Sequence, residues 1–569
     1  MTRINTAERK SPWPRTAAFL LAAALLAPAA GPGEENLLKL LGIAVSAESI
    51  DYVVQKTPFQ LHTLLTEQRH PKTWMLGRRI AADTAEGLRM LFGVDEDIAL
   101  KLDGLVRDPE QLGRVERLTE AFAAAMLGRR KIYMYGCGAT GRLAKQVESA
   151  FWRPFWGGLK KNEPGLWAKC SARLDPAVED ELIGEMTGAD RALISSLEGF
   201  EDLQLIGRLQ LHDRGIKPGD VVVCVTEGGE TSSVIGTIRA ALEDRKARPG
   251  YDPAESRKAL FFVYNNPDDL LRPFERSRIV LEDPGITKIN LTTGPQAITG
   301  STRMQATTIE TFVVGSALET AVERVLRTML SKKEMGRLGF SRETSLEDRL
   351  KAFAPLLPEI KRKAGEIARL TDLEARAYAG GRMSTYFARE GLITVFIDST
   401  ERSPTFRLAP LDTVREPRRK SWIQVWTAAE ARAQAWEAFL GRPFRGLDPL
   451  FYRKPFENEI DDVYLRDKAL QSLARAGDDQ AALYDFSFGG TNVQKRAPQK
   501  GDVAILALVG DEIGESRNPR STFFRFAELA AEKGAALGVL SICDLNKEKK
   551  AAGGVFPSPR IDVEFAVSR

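Results

Sequence analysis

Three loops of this sequence combine hydroxyl side chains with glycine where a predicted strand ends and a predicted helix begins. Glycine lets the backbone approach an anion, a hydroxyl donates a hydrogen bond to it, and a helix N-terminus points free N–H groups at it. Three such helix starts in one chain predict a site for a small phosphorylated ligand. The candidate ligand residues are Gly138, Thr140, Gly141, Thr226, Thr231, Ser301, Thr302 and Arg303.

The first of these loops, 136–141, also matches the GxGxxG pattern of dinucleotide-binding proteins. Such a site needs a second strand that ends in an acid about 20 residues further on, to hold the ribose. Residues 152–162 are not strand-like, and they contain no acid before Glu163. A nicotinamide-dependent oxidoreductase is therefore the least favoured interpretation, and a tight turn without any ligand is a further alternative.

Two acidic clusters could take part in proton transfer. Glu198 and Glu201 predict either a general base and a ligand for sugar hydroxyls, or a solvated helix start, since acids favour the first turn of a helix. Glu227 and Glu230 lie in the second hydroxyl-rich loop, where they would repel a phosphate. We expect these two to bind sugar hydroxyls or to face water.

The composition limits the remaining possibilities. The 569 residues carry 81 Lys and Arg against 77 Asp and Glu, a net charge of +4. This balance indicates neither a nucleic-acid partner nor an anionic membrane surface. Three histidines and four cysteines without a CxxC pair predict no metal site, no Ser-His-Asp triad and no cofactor.

Alternating strand and helix patterns must position the loops. The length predicts two to four domains. Strand-like runs at 131–135, 220–225, 260–264 and 288–291 alternate with helical patterns and predict an α/β domain with a doubly wound parallel sheet at 131–330. The same alternation returns at 378–569, which we interpret as a degenerate, C-terminally shortened copy. Helical patterns occupy the segment 34–130 and the connector 331–377. In the second copy we expect strands at 384–387, 392–397, 502–508 and 535–541.

Residues 1–33 have the layout of a secretory signal peptide, with basic residues, a short apolar run and small residues. A disordered extension or an upstream start codon is the alternative. No stretch is long and apolar enough to predict a transmembrane helix. Because phosphorylated metabolites are cytosolic, we expect a cytoplasmic protein, with export as the alternative if residues 1–30 are cleaved.

Five segments occur in an order that resembles the N-acetylmuramic acid 6-phosphate etherases and their duplicated relatives, the glucokinase regulatory proteins. Both groups are built from SIS (sugar isomerase) domains. The strong match covers about residues 60–330, and the duplicated length resembles the regulatory proteins. The segments are "LHTLLTEQR" (61–69), "GCGATGRLA" (136–144), "LEGFED" (197–202), "GDVVVCVT" (219–226) and "TTGPQAITGSTRM" (292–304).

The resemblance implies two SIS-type domains of flavodoxin-like, three-layer architecture, arranged as a pseudo-dimer after a helical N-terminal segment. It implies a sugar 6-phosphate in the first domain, with Glu198 and Glu201 beside the sugar. The etherases remove lactate by abstracting the C2 proton and protonating the leaving ether oxygen, which requires a base and an acid. Glu201 matches the base. The residues implied to contact the phosphate are Thr140, Thr231, Ser301 and Thr302, with the backbone at Gly138 and Gly141.

The chain departs from the etherase pattern at several positions. Ala150 stands at the acid position, and Glu148 lies about 200° away on the other face of a helix. In the second copy, 398–406 resembles the acid-bearing segment and keeps Glu401, while its preceding loop has lost the glycines that would admit a phosphate. Gln296 and Gln305 stand where the family tends to have Glu and Lys.

These departures favour a sensor or regulatory protein that binds N-acetylmuramic acid 6-phosphate or a hexose 6-phosphate. An active etherase, a carbon–oxygen lyase of amino sugar metabolism, is the alternative, with Glu201 as base and Glu401 as candidate acid. The resemblance to the regulatory proteins also implies a sugar-kinase partner. Homo-oligomerisation stays open.

Overall fold

A computed structural model of the chain describes residues 61, 63–542 and 561–567. The signal-like segment 1–33 lies outside the described residues, as does most of 34–60. The elements described below belong to one unit that begins at Thr63. Within the described part of the chain, no helix is both long and apolar enough to cross a bilayer.

Among the described residues, four α-helices precede the first strand, as the helical pattern predicts. Asp83 and Asp108 cap the second and fourth helices by accepting backbone N–H bonds, which satisfies donors that have no partner within the helix. Pro109 occupies the first helical position of the fourth, where its missing N–H has no consequence. The four helices are α1 (Leu76–Ala82), α2 (Thr84–Val94), α3 (Glu96–Arg107) and α4 (Pro109–Leu127).

The first sheet has five parallel strands in the order β2-β1-β3-β4-β5. The first four strands are buried along their whole length, as continuous apolar runs require when helices cover both faces. In this flavodoxin-like order β1 and β3 are neighbours, so the loops that follow them adjoin where ligands bind such sheets. The strands are β1 (Ile132–Gly136), β2 (Leu182–Met186), β3 (Val221–Thr226), β4 (Leu260–Tyr264) and β5 (Thr287–Asn290).

Helices surround this sheet, and a turn of π-helix, Val147–Trp152, follows the first of them directly. The longest, the 23-residue α14, packs against α4 across the core. The helices of this half are α5 (Gly138–Gln146), α6 (Arg153–Asn162), α7 (Pro164–Cys170), α8 (Glu198–Glu201), α9 (Gln204–Asp213), α10 (Ser232–Lys246), α11 (Pro253–Ser256), α12 (Asp268–Leu271), α13 (Glu275–Glu282) and α14 (Gln305–Arg327).

Four α-helices lie between the helices of the first half and the second sheet. Ser331 and Ser345 cap the first two of them. The connector helices are α15 (Lys332–Arg337), α16 (Leu346–Lys351), α17 (Leu356–Arg362) and α18 (Ala364–Ala379).

The second sheet also has five parallel strands, in the order β10-β9-β8-β6-β7. Numbered within its own half, this is again 2-1-3-4-5, so the two sheets share one topology and the predicted shortening does not reach the sheet. The strands are β6 (Ser384–Phe387), β7 (Ile423–Trp426), β8 (Val503–Val509), β9 (Ala536–Ile542) and β10 (Val563–Val567). The helices are α19 (Leu392–Phe406), α20 (Arg432–Leu440), α21 (Pro449–Glu459), α22 (Val463–Leu473), α23 (Gly490–Arg496), α24 (Glu512–Glu515) and α25 (Thr522–Lys533).

The predicted fold class, two doubly wound parallel-sheet α/β domains after a helical segment, is confirmed. The strand expected at 392–397 is wrong, because these residues begin α19. Leu392, Ile393, Phe396 and Ile397 are buried at the three- and four-residue spacing of a helix face. A short apolar run does not distinguish that pattern from a buried strand. The predicted domain boundaries stay a prediction.

The two halves pack directly on each other, with α19 against α5 and α22 against α8. A buried ionic cluster joins them. Arg442, from the second half, lies 2.9 Å from Glu148 Oε1 and 2.7 Å from Asp190 Oδ2, both in the first half. Lys145 Nζ lies 2.7 Å from Asp190 Oδ1, and every member is almost fully buried. This cluster fixes the second half against the π-helical turn and β2.

Candidate functional site

The first glycine loop connects β1 to α5, and its glycines have different roles. Gly138 has φ +55°, a backbone conformation that favours glycine. A Cβ at Gly138 would meet only one atom, Glu401 Oε1 at 4.0 Å. At Gly141 a Cβ would lie 2.4 Å from Met186 Cβ, so this glycine lets α5 approach β2. The open position of the loop is therefore Gly138.

Thr140 closes the same loop upon itself. Its hydroxyl donates to the Cys137 carbonyl oxygen (2.9 Å) and accepts from the Cys137 N–H (3.2 Å). The hydroxyl hydrogen is thus used within the loop, and the side chain caps the start of α5. The phosphate contact expected of Thr140 stays a prediction, and the structure gives this residue a loop-shaping role.

The second loop, between β3 and α10, brings Thr226 and Thr231 together, with 3.0 Å between their hydroxyl oxygens. Gly229 N–H donates to the Thr226 hydroxyl at 3.2 Å. Thr231 is the N-cap residue of the 15-residue α10, yet no side chain caps that helix. The helix start therefore presents backbone N–H donors and the positive end of the helix dipole beside two hydroxyls.

Glu227, in the same loop, is buried rather than facing water. Its carboxyl oxygen Oε1 accepts a hydrogen bond from the Thr307 hydroxyl at 3.1 Å. Burial raises the pKa of Glu227 to about 7, and the charges of Glu401 and Glu201 raise it too. The charges of these three carboxyl groups therefore interact within one region. Glu230 differs, because its carboxylate lies 3.3 Å from the Arg276 guanidinium.

Behind Glu227, on α14, lies the fully buried Glu310. Neither of its carboxyl oxygens has a hydrogen-bond partner among the described residues. Burial holds the pKa of Glu310 well above its usual value, and the charge of Glu227 adds to this effect. We therefore treat Glu310 as a neutral carboxylic acid at the back of the site.

The third loop brings Ser301, Thr302 and Arg303 to the start of α14. The Ser301 hydroxyl accepts from Arg303 Nη1, and the Thr302 carbonyl accepts the N–H of Thr307 at 3.1 Å. Arg303 Nε lies 3.7 Å from Asp398 of the second half, and burial lowers the pKa of Arg303. Thr307 therefore forms hydrogen bonds both to this loop and to Glu227 of the second loop, so the second and third loops border the same region.

The segment Leu65–Glu67 links the same two loops from the N-terminal side. The N–H groups of Leu65 and Thr66 donate to the Asn266 side-chain oxygen at 2.8 and 3.3 Å. Asn266 Nδ2 donates to the Gly228 carbonyl (2.9 Å), and Gly300 N–H donates to the Thr66 carbonyl (3.2 Å). This part of the "LHTLLTEQR" segment therefore positions the loops.

Gln296 and Gln305 hold the third loop to α14. The Gln305 side-chain oxygen accepts from Ala297 N–H at 2.9 Å, and that of Gln296 accepts from Ala306 N–H at 3.0 Å. Both glutamines are buried. Their reciprocal bonds fix the loop backbone, which gives these two departures from the family pattern a structural role.

Glu401 reaches the first half from α19. Its Oε1 accepts a hydrogen bond from Arg142 Nη1 at 2.6 Å across 259 residues of sequence. Arg142 is buried on α5, where its other nitrogens donate to the carbonyls of Leu193 (3.2 Å) and Ala192 (3.1 Å). The candidate acid of the second half and the open glycine of the first half therefore meet at one site.

Glu201 lies at the end of α8 and is exposed. Its charge raises the pKa of Glu227 and, after the larger effect of burial, that of the Cys137 thiol, so its carboxylate borders the first two loops. The side chain of Glu198 lies outside the described part of the chain. Ala150 sits in the π-helical turn, and Glu148 points away to Arg442.

The equivalent loops of the second half are bridged by a carboxylate of the chain itself. Glu512, fully buried at the start of α24, accepts the N–H of Glu390 and the N–H of Val509, both at 2.8 Å. Glu390 lies in the loop after β6 and Val509 is the last residue of β8, so these donors correspond in position to the loop after β1 and the end of β3. Burial raises the pKa of Glu512 to about 7. The Glu512 side chain thus joins the loop after β6 to the end of β8.

Sequence reasoning missed Arg142, Asn266 and Glu310 as parts of this region. Asn266 follows the apolar run of β4, a polar residue at a strand's carboxyl end, and that signal could have found it. Arg142 lies one residue after the glycine loop, but its partner is 259 residues away. Nothing in a local pattern connects the two.

No protein-family model matches the chain. It is 30% identical over 245 residues to the N-acetylmuramic acid 6-phosphate etherase of Prochlorococcus marinus strain MIT 9313, covering 43% of this chain and 61% of that protein. The chain is similar in sequence to the etherases. Against the etherase of Petrotoga mobilis the identity is 27% over 254 residues, 45% of this chain and 68% of that protein. The match to the first relative thus spans about three-fifths of its length, and the predicted resemblance is confirmed.

Two solved structures align over most of the chain. The C-terminal domain of glucosamine-fructose-6-phosphate aminotransferase from Francisella tularensis aligns with a TM-score of 0.36 at 9% identity, covering 84% of this chain and 87% of that one. A sugar-binding protein of Salmonella typhimurium LT2 aligns with a TM-score of 0.32 at 11% identity, covering 79% and 87%.

Proposed function

We propose that the first half of the chain binds a sugar 6-phosphate and that the protein acts as a sensor of that ligand. The observation that carries the proposal is the uncapped start of α10 beside Thr226 and Thr231, in a region where the charges of Glu201 and Glu401 act on the buried Glu227. A phosphate is stabilised by backbone N–H groups at a helix start. Carboxylates accept hydrogen bonds from sugar hydroxyls. A ligand with one anionic end and one hydroxyl-bearing end suits both sides of the site.

The etherase relatives are named for N-acetylmuramic acid 6-phosphate, which makes that compound the first ligand to test, followed by glucose, fructose and glucosamine 6-phosphates. A ligand at about 100 times its dissociation constant stabilises the folded state by ~2.7 kcal/mol, which a thermal shift assay resolves. Thr231→Val should abolish the shift. Thr371→Val, on α18, removes a hydroxyl that bonds only to its own helix and serves as the matched control. No shift with any sugar 6-phosphate would refute the proposal.

A second candidate function is lactate elimination from N-acetylmuramic acid 6-phosphate. It is favoured by the position of Glu401, whose Oε1 would lie 4.0 Å from a Cβ at Gly138, because this brings a second-half carboxyl group to the first-half loops although Ala150 replaces the family's acid. In this reaction Glu201 takes the C2 proton, a C2–C3 double bond forms as the C3–oxygen bond breaks, and Glu401 gives a proton to the leaving oxygen of lactate.

Lactate release is measured with purified protein at high concentration. Glu201→Gln and Glu401→Gln should each abolish it, while Asp202→Asn, an exposed neighbour, should retain it. Absence of release from the wild-type protein, together with a ligand-induced thermal shift, would restrict the function to binding.

For location we propose the cytosol, where sugar phosphates are found, and N-terminal sequencing of the mature protein tests export. A pull-down in the presence and absence of ligand tests a sugar-kinase partner.

A further inference from the structure

A basic cavity lies beside β7, the edge strand of the second sheet. Its volume is about 660 Å³, within the range of sites that hold small molecules. Its walls are formed by residues that precede β7, by residues of α23 and by the first residue of α20. Six lining side chains are cations, namely Arg415, Arg418, Arg419, Arg432, Lys495 and Arg496, and two are carboxylates, Glu416 and Asp485.

The two carboxylates are bound within their own loops. Glu416 accepts hydrogen bonds from the backbone N–H of Thr413 (2.9 Å) and from the Thr413 hydroxyl. Asp485 Oδ1 accepts from the N–H and the hydroxyl of Ser487, at 3.0 and 2.6 Å. Within residues 63–542, neither carboxylate forms an ion pair with a cation of the cavity. Six positive charges less two negative ones leave four positive charges in excess.

Two of the arginines are held in place by uncharged acceptors. Arg496 Nη2 donates to the Thr413 carbonyl at 2.7 Å, and Arg419 Nη2 donates to the Ser384 carbonyl at 3.0 Å. Arg419 Nη1 lies as far as 3.9 Å from Asp502, and its buried Nε has no partner among the described residues. Backbone carbonyls orient both guanidinium groups. Arg496 keeps its full charge for an anion, whereas the charge of Arg419 is partly offset by Asp502.

The remaining cations, Arg415, Arg418, Arg432 and Lys495, are exposed and form no ion pair with the described residues. Like charges gathered in one cavity repel each other, and an anion of matching charge removes that repulsion. Arginine binds phosphate through paired N–H donors, which gives both affinity and geometry. The cavity therefore has excess charge, oriented donors and a volume suited to a compact ligand.

We propose that this cavity binds a compact polyanion with two or more phosphate groups, at a site separate from that of the sugar 6-phosphate. The lining residues carry four positive charges in excess, or three when Asp502 is counted against Arg419, which suits a ligand with several negative charges such as a triphosphate. None of the residues lining the cavity is aromatic, whereas single-stranded nucleic acid is bound on stacking side chains, so a small polyphosphate is favoured over a nucleic acid.

The test is isothermal titration of the full chain with inorganic triphosphate, in magnesium-free buffer at 150 mM salt, beside inorganic monophosphate. Triphosphate should bind at least tenfold more tightly than monophosphate. The double variant Arg415→Glu/Arg418→Glu should weaken triphosphate binding tenfold or more. The matched control Lys161→Glu/Lys333→Glu changes the net charge equally at exposed positions outside the cavity and should bind triphosphate within twofold of wild type.

Thr231→Val, which tests the sugar 6-phosphate site, should leave triphosphate binding unchanged, so the two proposals can fail separately. Equal weakening by the control and the cavity variant would show a general charge effect and overturn the proposal. Absence of triphosphate binding would overturn it as well. Tighter binding of a 20-nucleotide single strand than of triphosphate would overturn the ligand class.

Discussion

Replacing Glu227 with glutamine should stabilise the protein at alkaline pH and leave its stability almost unchanged at pH 4.5. The pKa of this buried carboxyl rises from 4.5 to about 7 on folding, chiefly through burial. Below pH 4.5 the group is protonated in the folded and the unfolded chain, so it adds no pH dependence. Between pH 4.5 and 7 the unfolded chain releases the proton and the folded chain keeps it, so stability falls as pH rises.

Above pH 7 the carboxyl group is ionised in both states, so the free energy of unfolding falls no further. At ~1.4 kcal/mol per pH unit, the interval from 4.5 to about 7 corresponds to a loss of about 3 kcal/mol. Glutamine cannot ionise, and its side-chain oxygen can still accept the hydrogen bond from Thr307. Glu227→Gln should therefore exceed the wild-type stability by about 3 kcal/mol at pH 8.5, while other titrating groups cancel in the comparison.

Urea unfolding of both proteins at pH 4.5 and pH 8.5 measures the difference. Glu120→Gln, an exposed glutamate on α4, is the control and should stay within about 0.5 kcal/mol of wild type at both pH values. A Glu227→Gln difference that is the same at the two pH values would show that Glu227 does not bind a proton on folding. The argument that Glu227 is buried near other carboxyl groups would then fail.

Two further substitutions test the packing that positions the site. Arg442→Met leaves Glu148 and Asp190 buried without their shared partner. Urea unfolding should show that the free energy of unfolding falls by about 3–5 kcal/mol. A decrease of less than about 1 kcal/mol would show that the cluster contributes little to stability. Gly141→Ala forces a Cβ to within 2.4 Å of Met186 and should lower the free energy of unfolding by about 1–3 kcal/mol. Gly165→Ala, where a Cβ would meet no atom within 4 Å, should cause a much smaller change.

The strands of the first sheet that the sequence predicts are buried apolar runs followed by loops, and the structure contains them. β2 (Leu182–Met186) is not predicted from the sequence, because Gly184 and the buried Glu185 interrupt the apolar run that indicates a buried strand. That carboxylate is neutralised by Lys145, a partner distant in sequence, and a local pattern cannot show this pairing. At 392–397 the prediction that these residues are buried is right, but the predicted strand is a helix. Four buried apolar residues in so short a run fit either a strand or a helix.

For the candidate site, the sequence predicts the loops but not their internal bonding. Thr140 and Thr231 are both threonines at a helix start, so the sequence suggests that both bind phosphate. The Thr140 hydroxyl, however, donates to the Cys137 carbonyl of its own loop, whereas Thr231 begins a helix that no side chain caps. Glu401 and the glycine loop could be recognised separately. Their meeting depends on the packing of α19 on α5, which only the tertiary structure shows.

The buried carboxylate of Glu512 provides a last prediction about how the two halves have diverged. It accepts the N–H groups of Glu390 and Val509, the same kind of donors that we propose for a phosphate in the first half. Glu512→Ala leaves both donors buried and unpaired, which should lower the free energy of unfolding by about 2–4 kcal/mol. Because an oxyanion can accept the same bonds, inorganic phosphate should restore part of this loss when it replaces chloride at equal ionic strength.

Arg442→Met is the appropriate comparison, since it is expected to be destabilised by a similar amount without freeing backbone N–H groups of these loops. Phosphate should raise the urea midpoint of Glu512→Ala more than that of Arg442→Met or of the wild-type protein. Equal effects on all three would mean that the loops after β6 and β8 do not form an anion site when the carboxylate is removed. In that case the second half would have lost the site's geometry as well as its glycines, and only the loops of the first half would remain as a phosphate site.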